Sequence, residues 1–291
     1  MLNSNSIFVL GGTGNQGGAV ARNLLKNNFH VKVLTRNSDS PNAKKLKDLH
    51  AEIISGDMDK PKTFRENLKD VNGVFCVLTF DDGVEKEIKR GIDLVNLAKE
   101  NNVKHFLYSS FAGVDIDSGV PLWESKRKIE KYVKTAGIPY TIIRPNLLFE
   151  TFQFPRVKAG ILKGKLASPV KKDKFQQFIA CQDIGKISVD IFSHPDKYLY
   201  KIITLATEQF NLIQLAELFS KVLGKEIEYQ KIPMFITRMV MGKDLYKMFK
   251  WINQNDTFFM ENIEKYRTEH PDYLKFEKWI EVNFKNIRKA K

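Results

Sequence analysis

Ile7-Phe8-Val9-Leu10 runs directly into Gly11-Gly12-Thr13-Gly14-Asn15-Gln16-Gly17-Gly18, which opens onto Ala19-Val20-Ala21-Arg22-Asn23-Leu24-Leu25. An apolar segment, a glycine turn and an amphipathic stretch in this order read as strand, turn and helix. Gly12, Gly14 and Gly17 fit G-x-G-x-x-G, while Gly11, Gly14 and Gly17 fit G-x-x-G-x-x-G. In either spacing the turn lacks side chains, so main-chain N–H groups at a helix N-terminus can approach a pyrophosphate. Gly17 and Gly18 would let the helix settle close on the strand. The alternative is a glycine-rich turn without a ligand, and the strand-to-helix context weighs against it.

Working outward, His30-Val31-Lys32-Val33-Leu34-Thr35 is a second strand by its β-branched content and length. A chain that binds NAD usually ends this strand with an acid for the ribose 2′-hydroxyl. Here Arg36 follows, with no carboxylate before Asp39. A guanidinium suits the 2′-phosphate of NADP, which it can grip through two parallel hydrogen bonds. NADP(H) is therefore expected in preference to NAD(H), the alternative being that Arg36 is a solvated surface charge.

Beyond the second strand, Ala43, Leu46 and Leu49 fall at helical spacing, and Ala51 to Ser55 forms a third strand. Gly56-Asp57-Met58-Asp59 ends it, and Pro61 suits the first turn of a following helix. Asp57 could accept a hydrogen bond from an adenine amino group or cap that helix, and both readings stay open. Gly73 to Leu78 is nearly all apolar, as a strand covered on both faces should be. The loop Thr79-Phe80-Asp81-Asp82-Gly83 precedes a helix with the stripe Val84, Ile88, Ile92, Val95 and Ala98. His105 to Ser109 is the fifth strand, and a further β-α-β unit runs from Leu122 through Arg144.

Strands and helices alternating this regularly imply an α/β, doubly wound parallel (Rossmann) sheet with its ligand at the strands' C-terminal ends. Candidate cofactor contacts gathered at those ends are Gly11, Thr13, Gly14, Asn15, Gln16, Gly17, Arg36, Asp57, Met58, Leu78, Thr79, Phe80, Ser109, Pro145 and Asn146, with Phe149 just beyond.

Past Pro145 the alternation weakens. Residues 1–150 are expected to form the dinucleotide domain, and residues 151–291 a smaller, mostly helical domain walling the cleft. Within the latter, about 178–206 is expected to return to the main sheet, through a helix from Asp183 to near His194 and a strand at Tyr200 to Ala206. From Met234 to Met260 the chain is rich in Met, Phe and Trp, with Phe235, Met239, Tyr246 and Phe249 on one helical face. Such a segment reads as a lid over the cleft or, less simply, as a basic amphipathic helix that docks on a membrane surface or a partner.

The formal charge of +13 is spread along nearly every helix and interleaved with glutamate, so a solvated surface is favoured over nucleic-acid binding. Cys76 and Cys181, the two cysteines of 291 residues, lack metal-ligand spacing and read as structural thiols. No metal site is expected. The absence of any apolar run near the ~20 residues of a membrane span points to a cytoplasmic protein.

In the helix from Leu122 to Ala136, a 100° step places Lys126 at the edge of the arc shared by Leu122, Ile129, Val133 and Ala136. Arg127, Lys128, Lys131 and Lys134 face the other way. Lys126 is thus directed to the sheet side, where its ammonium could reach a ribose hydroxyl or simply snorkel.

The GGTGNQGG run at Gly11 to Gly18, Thr35-Arg36, the GDMD at Gly56 to Asp59, ESKRKIEKYV around Lys126 and GIPYTIIRPNLLFE at Gly137 to Glu150 together resemble the NmrA-like branch of the atypical short-chain dehydrogenase/reductase superfamily. The likeness continues through CQDIGK at Cys181 to Lys186 and EHPDYLKFEKWI at Glu269 to Ile280. It implies NADP(H) binding and a role as a redox or cofactor sensor acting through protein partners. Reductases of the superfamily use a Tyr-x-x-x-Lys pair with a serine on the preceding strand. Lys126 matches the lysine and Ser109 or Ser110 the serine, but the tyrosine position holds Leu122. Leucine cannot exchange a proton, which puts that chemistry in doubt. The alternative is an NADPH-dependent reductase of a small carbonyl, quinone or enone with Lys126 at its active site, as in the isoflavone-reductase-like enzymes that work with the lysine alone.

Overall fold

Continuous apolar runs, rather than alternating ones, form the central strands, because helices cover both faces of a parallel sheet. In the computed structural model these strands are β1 (Ser6–Val9), β2 (His30–Thr35), β3 (Glu52–Ser55), β4 (Gly73–Val77), β5 (His105–Ser109), β6 (Tyr140–Pro145) and β7 (Ile202–Leu205). The main helices among them are α1 (Asn15–Lys26), α2 (Pro41–Asp48), α3 (Val84–Glu100), α4 (Pro121–Thr135) and α5 (Cys181–Ser193). The structure describes residues 5–257, 259–260 and 262–285.

The seven strands are ordered β7-β6-β5-β4-β1-β2-β3, and the pairs from β3 to β6 are parallel. The order reverses between β1 and β4, so a crevice opens there at the strands' C-terminal ends. β7, late in the chain, lies beside β6.

Two layers of helix bury the sheet. On one face Phe8, Val74, Cys76, Phe106 and Tyr108 pack with Leu94, Val95 and Ala98 of α3 and with Ile129 and Val133 of α4. Elsewhere α1 and α5 meet at small residues: a Cβ on Gly185 would lie 2.7 Å from the Ala19 carbonyl oxygen and 2.4 Å from Asn23 Nδ2. Any side chain at Gly185 would drive these helices apart.

The buried face of α3 differs from the apolar stripe read in its sequence. Glu87, Gly91, Leu94, Val95, Leu97 and Ala98 are buried, while Val84, Ile88 and Ile92 are only half-buried. Gly91 explains part of this rotation, since a Cβ there would sit 3.0 Å from three carbons of Ile129 on α4. Glu87 explains the rest through the buried partners described below.

The chain divides into two compact units, and the first holds residues through Asp115 together with Trp123–Arg144 and Cys181–Ile203. The second holds Ile116–Leu122, Pro145–Ala180 and the residues from Thr204 onward. In the second, Leu147–Leu148, Gln176–Ile179 and Glu208–Phe210 make a three-stranded sheet, and Lys165–Ser168 pairs with Glu228–Lys231. Its core is aromatic: the Phe276 ring lies 4.6 Å from Phe149, 5.3 Å from Phe152 and 5.6 Å from Phe219 between centroids. The helix Leu212–Leu223 starts on a capping box between Asn211 and Gln214 and stops at Gly224, whose φ is 62°.

The single helical face expected through Met234 to Met260 is interrupted. Helix Met234–Gln254 is broken at Gly242, with φ 85° and ψ 174°, so Phe235 and Met239 do not share a continuous face with Tyr246 and Phe249. Glycine tolerates that conformation where other residues are strained. Phe235 and Met239 are 66% and 81% exposed. Phe258, within the same stretch, lies outside the described residues. Among the described residues no helix is long and apolar enough to cross a membrane.

Candidate functional site

The site begins at the glycine turn between β1 and α1. Gly11 has φ +69°, and its carbonyl accepts a 2.9 Å hydrogen bond from Gly14 N. A Cβ on Gly17 would lie 2.3 Å from the Gly11 oxygen, and one on Gly12 would lie 2.5 Å from Val33 Cγ1. These positions therefore require glycine for the helix to rest on the turn and the turn on β2. Gly14, the N-cap of α1, offers no capping side chain, and the first turn holds no acid. Uncapped N–H groups and the positive end of the helix dipole make this turn receptive to an anion.

A cleft of about 340 Å³ opens beside the turn, within the first unit. Of the residues expected from sequence it brings together Gly11, Thr13, Arg36, Asp57, Met58, Leu78 and Thr79. It adds Leu10, Leu34, Thr35, Asn37, Ser40, Gly56, Val77 and Arg90, of which Arg90 carries new chemistry. Gly14, Asn15, Gln16 and Gly17 form the turn and the start of α1, while the Phe80 carbonyl accepts from Gly83 N at 2.8 Å and shapes the entry to α3.

Arg36 is exposed at the end of β2, and among the described residues its guanidinium has no ion-pair or hydrogen-bond partner. Asp39 is engaged elsewhere, 3.7 Å from Lys44. Asp57 caps its own turn: Oδ1 accepts from Asp59 N at 3.0 Å, and its N–H donates to Thr63 Oγ1 at 3.0 Å. It does not cap the turn at Pro61, which begins from Lys60 without a side-chain hydrogen bond, so the capping reading of Asp57 is not met. The expected helix after Pro61 is instead two short 3-10 turns, Pro61–Thr63 and Arg65–Leu68.

Across the cleft rim, Arg90 of α3 donates from Nε and Nη2 to the two oxygens of Asp59 at 2.7 and 2.8 Å, and Nη2 also lies 2.7 Å from Asp82 Oδ2. Hydrogen bonding to Arg90 holds both carboxyls below the usual carboxylate range and raises the guanidinium's own pKa. The acids stand in the loops after β3 and β4 and the cation nearly two turns into α3, so no local sequence signal joins them.

At the other end of the crevice, Ser109 Oγ donates to Gln16 Oε1 at 2.7 Å, joining two expected residues. Ser110 Oγ is buried and has no hydrogen-bond partner among the described residues. Lys126 is directed to the sheet side, as its helical phase requires, and its Nζ donates to the Leu78 carbonyl at 2.7 Å. The ammonium is also 2.6 Å from Glu87 Oε1, and Ser125 Oγ donates to Glu87 Oε2 at 2.6 Å. Sequence reading missed Glu87.

Leu122, one turn before Lys126, is buried and has no proton to exchange. Tyr108, whose ring centroid is 6.0 Å from Lys126 Nζ, does not replace the missing tyrosine: it is fully buried in the core, and desolvation pushes its pKa well above the ordinary value. Burial likewise pushes the Cys76 thiol up to about 12, so it is inert. Among the described residues no cluster of His, Cys, Asp and Glu could hold a metal ion.

Three expected contacts fall in the second unit. Pro145 ends β6, and Asn146 is buried, donating from N and Nδ2 to the Leu205 carbonyl at 2.9 and 3.3 Å. Phe149 is fully buried in the aromatic core around Phe276. Just before them, Arg144 makes a two-pronged bond to Glu130 at 3.0 and 2.8 Å and a third to Asp115 at 2.8 Å, which pins α4 to β6.

Comparison with known proteins bears on the family and the fold. The model of the NmrA-like family matches residues 3–283. An NmrA-like family domain-containing protein of Dictyostelium discoideum is 29% identical, over 97% of this chain and 99% of its own length. Among solved structures, NmrA, a negative transcriptional regulator in complex with NADP, superposes with a TM-score of 0.80 at 18% identity, covering 99% of this chain and 98% of that one. Triphenylmethane reductase from Citrobacter sp., complexed with NADP(H), gives 0.79 at 18% identity, covering 96% and 100%. At such identities these two likenesses speak for the fold.

Proposed function

The chain belongs to the NmrA-like family, and from that premise we propose that it binds NADP(H) in the cleft at the C-terminal ends of β1 to β4 and serves as a redox or cofactor sensor acting through a protein partner. The observation that carries the nucleotide reading is Arg36, a guanidinium with no ion pair or hydrogen bond among the described residues, beside a turn of bare main chain. In this reading the Gly11 to Gly17 turn and the α1 N-terminus hold the pyrophosphate, Arg36 holds the 2′-phosphate, and Gln16 and Ser109 flank the path toward the nicotinamide. A bound nicotinamide would supply hydride transfer. Of the two positions where the superfamily's proton chemistry would sit, Leu122 cannot serve and the Lys126 ammonium is engaged by Glu87 and Leu78.

Calorimetry with NADP, NADPH, NAD and NADH, followed by NADPH oxidation assays on aldehydes, ketones, quinones and enones, tests both parts. Tight binding without turnover is expected. Steady oxidation with any of these substrates would replace the sensor reading with that of a reductase.

That second reading has one observation in its favour, the buried Ser110 hydroxyl just past β5, which has no partner among the described residues. A substrate oxygen could complete it, with Lys126 giving up the proton. Lys126→Ala would then abolish turnover while leaving nucleotide binding partly intact.

A further inference from the structure

One side chain of α3 ties together the loops that follow β3 and β4. Arg90 engages both oxygens of Asp59 and one of Asp82, and its side chain is only 12% exposed. It nonetheless lines the same cleft as Arg36. The two arginines are electrostatically unlike. Arg36 makes no ion pair among the described residues and feels the Asp82 carboxylate only at longer range, whereas Arg90 is paired directly with two carboxylates. A cation so neutralised is a poor phosphate receptor, yet the same contacts hold its planar group in one orientation. Leu34, Met58 and Leu78 line the cleft with it, and Asp57 keeps one carboxylate oxygen available there. Apolar side chains, a fixed guanidinium face and a lone acceptor suit a purine with an exocyclic amino group.

We propose that Arg90 is the adenine-recognition residue of this cleft, stacking the guanidinium face that Asp59 and Asp82 hold in place against the base. It rests on the dinucleotide reading above and adds a division of labour. Arg36 selects the 2′-phosphate, and Arg90 contributes equally to NAD and NADP because both carry adenine. In this arrangement the Asp59 and Asp82 carboxylates fix Arg90 in orientation and do not touch the nucleotide.

Titration calorimetry of the full chain with NADP, NAD and AMP distinguishes the two arginines. Arg90→Ala should weaken all three by a similar factor, about tenfold, and leave the NADP-to-NAD affinity ratio unchanged. Arg36→Ala should instead collapse that ratio. Arg90→Lys, which keeps the charge and an ion pair but loses the flat face, should behave like Arg90→Ala and serves if the alanine variant does not fold. Thermal unfolding without nucleotide reports whether each variant is folded. Wild-type affinity in a folded Arg90 variant, or a loss confined to NADP, overturns the assignment while leaving the dinucleotide reading standing. No binding of either dinucleotide by the wild-type chain overturns both.

Discussion

Glu87 and Lys126 form an ion pair at 2.6 Å in which the carboxylate side chain has no exposed surface. Ser125 donates to the other Glu87 oxygen, and the Leu78 carbonyl accepts from the same ammonium. The pair pins α4 to α3 and joins both to the end of β4. It is therefore structural before it is anything else, and a charge so buried is costly to leave alone.

From this follows an expectation for each single variant. Glu87→Leu and Lys126→Met should each destabilise the protein by about 3–5 kcal/mol, because each strands a buried charge. The double variant should recover a large part of that loss. Urea denaturation of the four proteins gives the coupling directly, and additive losses would mean that the pair does not interact as drawn. Lost activity in Lys126→Ala alone would thus be uninformative about chemistry unless its stability is measured too.

Gly17 is the position least able to change. A Cβ there meets the Gly11 oxygen at 2.3 Å and the Gly11 carbonyl carbon at 2.4 Å, and backbone cannot rotate aside as a side chain can. Gly17→Ala should cost about 1–3 kcal/mol and abolish dinucleotide binding, read by thermal unfolding and calorimetry. Gly83→Ala is a useful control: its φ is +98° but nothing lies within 4 Å of its Cβ position, so destabilisation without a specific loss of binding is expected.

These contrasts show which parts of the molecule were legible in the sequence. Strands at His30–Thr35 and His105–Ser109 were readable to the residue, because apolar runs bounded by turn chemistry are local signals. In a parallel sheet the strand ends then locate a crevice, so Gly11, Arg36, Asp57 and Leu78 could be grouped before any coordinates. Glu87 was not readable, since a charged residue near an apolar stripe is assigned to solvent by default and its partner lies on another helix. Arg90 was hidden for the same reason, its acids belonging to two different loops. Phe149 looked like a pocket wall from its place just after a strand, but rings supplied from Phe276 and Trp279 draw it into a core. The break at Gly242 depends on a backbone angle that one glycine permits without announcing.

His105 gives the protein a titratable weakness remote from the cleft. Its Nε2 pairs with Thr141 Oγ1 at 2.8 Å, that hydroxyl donates to the Tyr198 carbonyl, and desolvation lowers the imidazole pKa to about 4. The unfolded chain, with a value near 6.5, binds more protons than the folded one between pH 4 and 6.5. Stability contributed by this residue is therefore complete above pH 6.5 and lost as pH falls to 4, by about 3 kcal/mol in all. Denaturation curves across that window should show the loss, and His105→Gln should flatten it. An unchanged slope in the variant would assign the acid sensitivity to the carboxylates instead.

Arg36 yields the clearest expectation for specificity. Among the described residues its guanidinium has no direct ion pair to break when a ligand arrives, only a longer-range attraction to Asp82, so most of a charge-assisted pair with a 2′-phosphate would appear as affinity. Arg36→Ala should weaken NADP by about ten- to a hundredfold and NAD by little, since hydrogen bonds to charged groups contribute about 1.5–3 kcal/mol. The pair is exposed, so the difference between the two nucleotides should shrink as salt rises from 0.05 to 0.5 M while the Gly11 to Gly17 contribution, made by main chain, changes less. Calorimetry at those two salt concentrations checks both effects, and a wild-type chain that binds NAD and NADP alike would show that the end of β2 does not discriminate between them.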